Sequence, residues 1–496
     1  MRKYIGITIG PIFDTILEAS SPIALWFASN MFSNITARLC EKLMSSDGFD
    51  DAIIYSPYFV KKQAHNDGIG RYHDRIFFST EKYDDNKLKQ IIEAVKIDTA
   101  MVLGESVANE IKKTKQFFKE YLQIHYVVMD EEKIEKNNCI LALSHYLDSL
   151  ELMKTFPVGD AFNPIQYLFK KNENVKQTEL FPEEAYCKNY LGTYSQGKCN
   201  IRKIEDIAMP ESCKSSKNKK YRYFALVTAD ADNMSKFLEK LGNESIQEFS
   251  KVCLEYTSKA SDRIKAYNGM TIYAGGDDLL FLAPVEFEGG KTVLDLCDEI
   301  SKDFTESINA LGIDIGDEFK PTVSFGISIQ YVKFPLYEAI ACSRNLLNIA
   351  KKSKEKNMVV VNLQKHSGQS VLVRSGNESI TDLKELLAIS KVDVSDEEIH
   401  SIIYTLENMK SLVQVMDKEA VEGKIDSNRY AFMWNNLFDN VGQEKAKKYL
   451  KMICEKHYEM IKKNSRVYAN TTEYGLDALL GVLRFKKFLE EEGEEQ

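Results

Sequence analysis

What this 496-residue sequence lacks narrows its possible roles before any motif is considered. No stretch approaches the roughly 18 uncharged apolar residues that span a bilayer, and residues 1–10 read as a strand and turn rather than a signal sequence. A cytoplasmic protein without membrane contact is expected. The 9 cysteines are odd in number and scattered, so reduced thiols are expected in place of a disulfide framework. Cys187, Cys199 and Cys213 stand 12 and 14 residues apart without a Cys-x-x-Cys pair, which argues against a structural zinc. Basic charge is in deficit: 65 Lys and Arg against 74 Asp and Glu leave a net charge of −9, which excludes a general nucleic-acid coat. Any such contact must be local. The candidates are Lys214, Lys217, Lys219, Lys220 and Arg222, and then Lys351, Lys352, Lys354 and Lys356, although clusters of this kind more often mark a solvated face. Only 7 histidines occur and they do not cluster, so His73-Asp74, which spells the dipeptide of a metal-dependent phosphohydrolase, is not expected to be a nuclease centre.

What is present is ordinary globular composition, 44% hydrophobic and 28% charged, over a length that suggests three or four domains at about 150 residues each. From residue 220 the pattern runs strand (223–228), helices (234–267), strand, turn, strand, helix (291–310), strand (322–329), helix (336–351) and strand (358–362). Without its last helix and strand this is βαββαβ, which makes an antiparallel sheet with helices on one face. Residues 4–129 repeat the order, so the chain reads as an internal duplication. The fold class expected is α+β: two ferredoxin-like domains at 1–130 and 220–368, a helical then irregular linker at 131–219, and a C-terminal helical bundle at 369–496.

The chemistry concentrates at Gly275-Gly276-Asp277-Asp278, an acidic turn between two runs that read as buried strands. The glycines permit positive φ and close approach of a ligand, and adjacent carboxylates on a pleated strand are costly without a cation nearby. The first strand of the same domain ends in Asp230, and the βαββαβ order sets that strand beside the hairpin. Asp230, Asp277 and Asp278 are therefore the candidate catalytic and metal-binding carboxylates for two Mg²⁺ or Mn²⁺ ions about 4 Å apart. The backbone of Ala231, Asp232, Asn233, Met234 and Ser235 opens a helix and could receive phosphate oxygens, while Asp232 itself reads as a helix cap ahead of a ligand. Gly275 and Gly276 join the nucleotide-binding set. Ser324, Gly326 and Ser328 alternate on one strand, giving either a flat shelf for a purine or a surface for tight helix packing. Lys351 could reach a triphosphate, though a helix C-terminus favours lysine in any case. The first copy has Tyr55-Ser56-Pro57-Tyr58 at the corresponding turn, without carboxylates, so one active site per chain is expected.

With those residues placed, the chain resembles the large polymerase-like subunit of type III CRISPR effector complexes, in the Cmr-type branch. The resemblance runs through residues 9–16, Leu25-Trp26-Phe27-Ala28-Ser29, Phe32-Ser33 and Arg75-Ile76-Phe77. It continues through residues 229–234, 275–278, 323–327, 333–336, Ala350-Lys351, 365–368 and 476–489, covering about 4–490. It implies two palm domains and a target-RNA-activated synthase that joins ATP through 3′–5′ linkages into cyclic oligoadenylates. CRISPR RNA, target RNA, backbone subunits and a small helical subunit are the implied partners. The N-terminal HD nuclease domain of many relatives is absent here, so DNA cleavage is not expected. Three further departures are visible: the zinc-binding cysteine pairs are reduced to single cysteines, Ser235 stands for a usual glycine, and Phe325 for a usual small residue near the adenine site. Competing readings are a stand-alone cyclase making a cyclic dinucleotide from GTP, and a catalytically silent scaffold of the same kind of complex.

Overall fold

The structure is a computed structural model that describes residues 2–46, 48–60, 69–106, 111–134, 138–153, 194–195, 198–199, 203–214, 216–313, 316, 320–352, 356–374, 379–389, 395–438, 444–463 and 473–491. Cys187 and Lys354 lie outside these residues. The first palm comprises β1 (Lys3–Gly10), α1 (Ile12–Leu17), α2 (Pro22–Ser45), β2 (Ile53–Ser56), β3 (Arg75–Thr80), α3 (Asp85–Ser106), α4 (Ile111–Tyr121) and β4 (Gln123–Asp130). Its strands lie in the order β2-β3-β1-β4 and every pairing is antiparallel, the ferredoxin-like arrangement that the βαββαβ order requires. Helix α2 is apolar nearly all round, with Leu25, Trp26, Phe27, Ala28 and Met31 all buried, because it is enclosed on several sides rather than lying on a surface. Its start is set by Pro22 at the first position and by the Ser21 hydroxyl, which accepts from Ala24 N at 3.3 Å. A further helix, α5 (Cys139–Glu151), closes the other face of this sheet: a Cβ on Gly6 of β1 would stand 3.1 Å from Leu147 Cδ1.

The second palm begins at β5 (Tyr223–Ala231). It continues through α6 (Met234–Leu238), α7 (Asn243–Ala266), β6 (Met270–Gly275), β7 (Asp278–Pro284), α8 (Val293–Asn309), β8 (Val323–Tyr331), α9 (Leu336–Lys352), β9 (Val359–Gln364) and β10 (Ser370–Arg374). The order β10-β9-β8-β5-β7-β6 contains the same four-stranded core, extended at one edge by β9, parallel to β8, and then β10. The helical run 234–267 is two helices, since the chain breaks at Gly242 before α7. Among the described residues six helices follow: α10 (Ser379–Ile389), α11 (Asp396–Asn408), α12 (Lys410–Val421), α13 (Ser427–Leu437), α14 (Glu444–Lys463) and α15 (Glu473–Glu490). They are tied to the second palm by Phe488 against Tyr223 at 4.9 Å between ring centroids, and by Glu491, which takes Lys219 at 2.8 Å and Lys365 at 3.1 Å. Much of the basic cluster before β5 is thus engaged in ion pairs, with Lys220 on Glu286 and Lys214 on Glu211. Among the described residues no helix is long and apolar enough to cross a membrane.

Candidate active site

Register brings the acidic residues together. Strand β5 pairs with β7 through Ala229 opposite Leu279, so one step further along Asp230 stands opposite Asp278. On its other side β5 pairs with β8, with Asp230 opposite Ser324. The hairpin between β6 and β7 closes on the Gly275–Asp278 pair, leaving Gly276-Asp277 as a two-residue turn, and Gly276 at φ 66° supplies the positive φ such a turn needs at its first position. A side chain at Gly275 would strike the Tyr273 ring.

The electrostatics are those of crowded carboxylates. Burial and then the Asp230 charge push Asp277 up to about 6. Asp278 is pushed well above the ordinary carboxylate range by burial, by Asp230, with which it shares a hydrogen bond, and by Asp277. The field of Asp277 also reaches Cys253 and Tyr256 on α7, whereas Asp278 and Asp230 line a cavity of about 560 Å³. Lys351, from the last turn of α9, ion-pairs with Asp230 and lies 3.0 Å from Asp232 Oδ1. Burial alone would lower its pKa, but these two carboxylates hold it above the usual lysine value.

That cavity is walled by both palms. From the first come Gly10, Pro11, Ile12, Phe13, Asp74 and His125; from the second come Asp230, Asp278, Arg344, Leu347 and Lys351. Arg344 lies over the Phe13 ring at 3.7 Å, a cation–π contact that joins the palms across the opening. Sequence reasoning missed Arg344, Phe13 and Asp74. Arg344 had a usable signal, since it precedes Lys351 by seven residues and so shares its helix face; Asp74 had none, because only tertiary packing brings it here.

Four expectations are corrected. Ser324, Gly326 and Ser328 form no shelf, because α9 lies on them: a Cβ at Gly326 would collide with the Ser343 carbonyl and the Leu347 backbone, and Ser324 and Ser328 are fully buried. Phe325 points to the opposite, core face and shapes no cleft. Asp232 is not the cap of α6, whose N-cap is Asn233 in the left-handed region. Its buried carboxylate instead accepts from Thr322 Oγ1 at 2.9 Å, Ser324 Oγ at 2.7 Å and Asn357 N at 2.8 Å. The phosphate cradle at 231–235 is also weakened, since α6 has 5 residues and the Asp232 amide is spent on Thr322 O at 2.7 Å. Met234 and Ser235 open that short helix, and neither is among the residues that line the cavity. The first palm's turn at 55–58 carries no carboxylate, but Asp74 from elsewhere in that palm stands in the cavity wall.

Comparison with known proteins agrees with this two-palm geometry. Residues 4–119 match the family model described as CRISPR-associated protein Cmr2, N-terminal, and residues 223–360 match that of Cas10/Cmr2, second palm domain. The chain belongs to the Cas10/Cmr2 family. It is 27% identical over 214 residues to the CRISPR system Cmr subunit Cmr2 of Pyrococcus furiosus, a match covering 37% of this chain and 24% of that relative, so about a quarter of the relative's length is spanned. Among solved structures it resembles a type III-B Cmr-beta assembly in its apo state (TM-score 0.56, 13% identity, 83% of this chain and 75% of that one). It also resembles a Csm1-Csm4 cassette in complex with cA4 (TM-score 0.53, 14% identity, 98% and 70%) and Csm1 of T. onnurineus (TM-score 0.54, 13% identity, 98% and 69%). At these identities the likeness is one of fold, and it extends through the helices that follow the second Cas10/Cmr2 palm.

Proposed function

We propose that this Cas10/Cmr2-family chain is a nucleotidyltransferase that joins ATP through 3′–5′ linkages into cyclic oligoadenylates and releases pyrophosphate. The observation that carries the reading is the convergence of Asp230 and Asp278, with Asp277 in the adjoining turn, on a two-palm cavity whose α9 wall offers Lys351 and Arg344. Among the described residues no three His, Cys, Asp or Glu side chains already stand in a metal-binding arrangement. The donor set nevertheless fits Mg²⁺ or Mn²⁺: it is all oxygen, and its raised pKa values express negative charge that Lys351 offsets only in part. Asp230, Asp277 and Asp278 would hold the ions. Bound ions would neutralise the triphosphate and ease ionisation of the attacking hydroxyl.

The chain's own groups account for the rest. Lys351 and Arg344 lie on one helix face, where a triphosphate entering the cleft exchanges its negative charge for that of Asp230. Ile9, Pro11, Ile12 and Leu347 give the apolar wall against which a base stacks. The cleft thereby holds a ribose hydroxyl in line with an α-phosphorus, and the new O–P bond forms as the bond to pyrophosphate breaks. Assembly with CRISPR RNA, backbone subunits and a small helical subunit, and activation by target RNA, are part of the same proposal. They are supported by the Cmr-beta structure bound to cognate target RNA that this fold resembles (TM-score 0.56).

The test is incubation of the purified protein with each labelled nucleoside triphosphate and Mg²⁺ or Mn²⁺, with and without matched guide and target RNA. Adenylate oligomers from ATP, lost in the Asp277→Ala, Asp278→Ala double variant, are expected. Product from GTP alone would move the reading to a cyclic dinucleotide cyclase, and no product under any condition would leave a scaffold.

A further inference from the structure

The His73-Asp74 dipeptide has no phosphohydrolase companions, yet the fold carries it to the acidic turn. Gly70 of the first palm forms a parallel bridge with Tyr273 of β6, and its carbonyl accepts from Ala274 N at 2.9 Å. In parallel pairing both chains advance together, so residues after Gly70 track those after Tyr273. Three residues along each, a Cβ on Gly276 would lie 3.5 Å from His73 Cδ2. The Asp74 that follows is close enough for its charge to reach Asp278 and help raise that carboxyl's pKa.

The segment is fixed on its other side as well. Ile9 N donates to Asp74 O at 2.9 Å, Thr36 Oγ1 to His73 O at 3.1 Å, and the His73 ring meets Ser56 Oγ at 2.8 Å. The approach is close at Gly70, where a Cβ would displace the Ser29 hydroxyl. The Asp74 side chain lines the same cavity as Asp230, Asp278 and Lys351. Its neighbour Arg75 is committed elsewhere, to Glu151 at 2.8 Å and Asp148 at 2.5 Å. Among the described residues no side chain donates a hydrogen bond to the Asp74 carboxylate, which therefore faces the cleft with open acceptor positions.

An acceptor of this kind takes O–H or N–H donors. A nucleoside triphosphate whose phosphates lie toward Lys351 has its donors on the sugar and on the base, and the sugar is the part that must reach the acidic turn to react. We propose that Asp74, supplied by the first palm, accepts hydrogen bonds from the ribose hydroxyls of the nucleotide at the turn and so sets the preference for ribonucleotides over deoxyribonucleotides. This rests on the nucleotidyltransferase reading above. It makes Asp74 a specificity-determining residue of the cleft.

The experiment is calorimetric binding of ATP, 2′-deoxyATP, 3′-deoxyATP and purine riboside triphosphate, with Mn²⁺ present, to the full chain and to its Asp74→Asn and Asp74→Ala variants. Wild type should favour ATP about tenfold over at least one deoxy analogue, Asp74→Ala should reduce that preference to about twofold, and Asp74→Asn, which keeps an acceptor oxygen, should fall between. Should Asp74→Ala fail to fold, the nearly isosteric Asp74→Asn decides alone. An undiminished preference in the variants overturns the proposal, as does a loss confined to the analogue without the 6-amino group. If wild type binds none of these nucleotides, both this proposal and the nucleotidyltransferase reading fall. If it discriminates through Asp74 yet makes no product from ATP, only the reaction is refuted.

Discussion

Lys351 Nζ lies 3.0 Å from Asp232 Oδ1, and the same ammonium pairs with Asp230, so one side chain from α9 is shared between the acid near the end of β5 and the acid just beyond it. The three donors to Asp232 all fall on Oδ2, so Oδ1 has Lys351 as its only counter-charge among the described residues. Asp232 is fully buried, and a buried carboxylate stripped of its cation costs about 3–5 kcal/mol. Lys351→Met should therefore lower chemical-denaturation stability by an amount of that order, and adding Asp232→Asn should restore much of it. A lysine that serves the triphosphate alone would leave the stability of the free protein unchanged.

Asp278→Asn should act in the opposite direction. Its carboxyl is held well above the ordinary range by burial and by Asp230 and Asp277, so the ionised form is disfavoured in the metal-free fold. Replacing it with a neutral amide relieves that crowding. The expected result is a thermal midpoint raised by a few degrees in metal-free buffer, with ATP conversion reduced at least about a hundredfold, the trade between stability and function typical of charged sites. A fall in midpoint would show that the Asp230–Asp278 hydrogen bond outweighs the repulsion.

Besides Asp278, two groups have raised folded pKa values that set a pH window, Asp277 and Asp74, both at about 6 against an ordinary 3.8. Burial is the larger cause in each, and the fold favours their protonated forms. Their contribution to stability is fully present below about pH 4 and is lost as pH rises through about 6. Compared with an Asp74→Asn, Asp277→Asn variant, the metal-free wild type should lose ground across that window. Added Mg²⁺ or Mn²⁺ competes with the Asp277 proton, so its stabilising effect should be larger above pH 6 than at pH 5. Equal stabilisation by the ion at both pH values would refute a carboxylate site.

Both βαββαβ units were legible in the sequence because runs such as Phe224 to Val227 and Leu279 to Ala283 are buried on both faces and bounded by turn residues. The Asp230–Asp278 juxtaposition was legible too, since strand order fixes it. Asp74 was not, because its place depends on a bridge between palms whose partners are 203 residues apart, Gly70 and Tyr273. Asp232 misled for a related reason: Asp before a helix usually caps it, but here Asn233 adopts φ 60° and frees Asp232 to reach across to Thr322 and Ser324. Residues 154–193, which hold Cys187, lie outside the described structure, and no geometry bears on them.

Ser324, Gly326 and Ser328 show how one pattern of small residues serves two purposes that sequence alone does not separate. Small side chains flatten a sheet for a ligand or for a helix backbone, and here the helix has the position: the Thr228 hydroxyl meets Ser343 Oγ at 2.8 Å, and the α9 backbone passes over Gly326 with no room for a methyl group. Gly326→Ala must push α9 off the sheet or distort β8, at a cost of about 3 kcal/mol or more. Because Arg344 and Lys351 ride on α9, the same shift moves them away from Asp230. Gly326→Ala should therefore lose stability, measured by urea denaturation, and nucleotide affinity together. A small-residue shelf would instead have produced a variant of wild-type stability that binds ATP poorly, and that outcome would return these residues to the binding site.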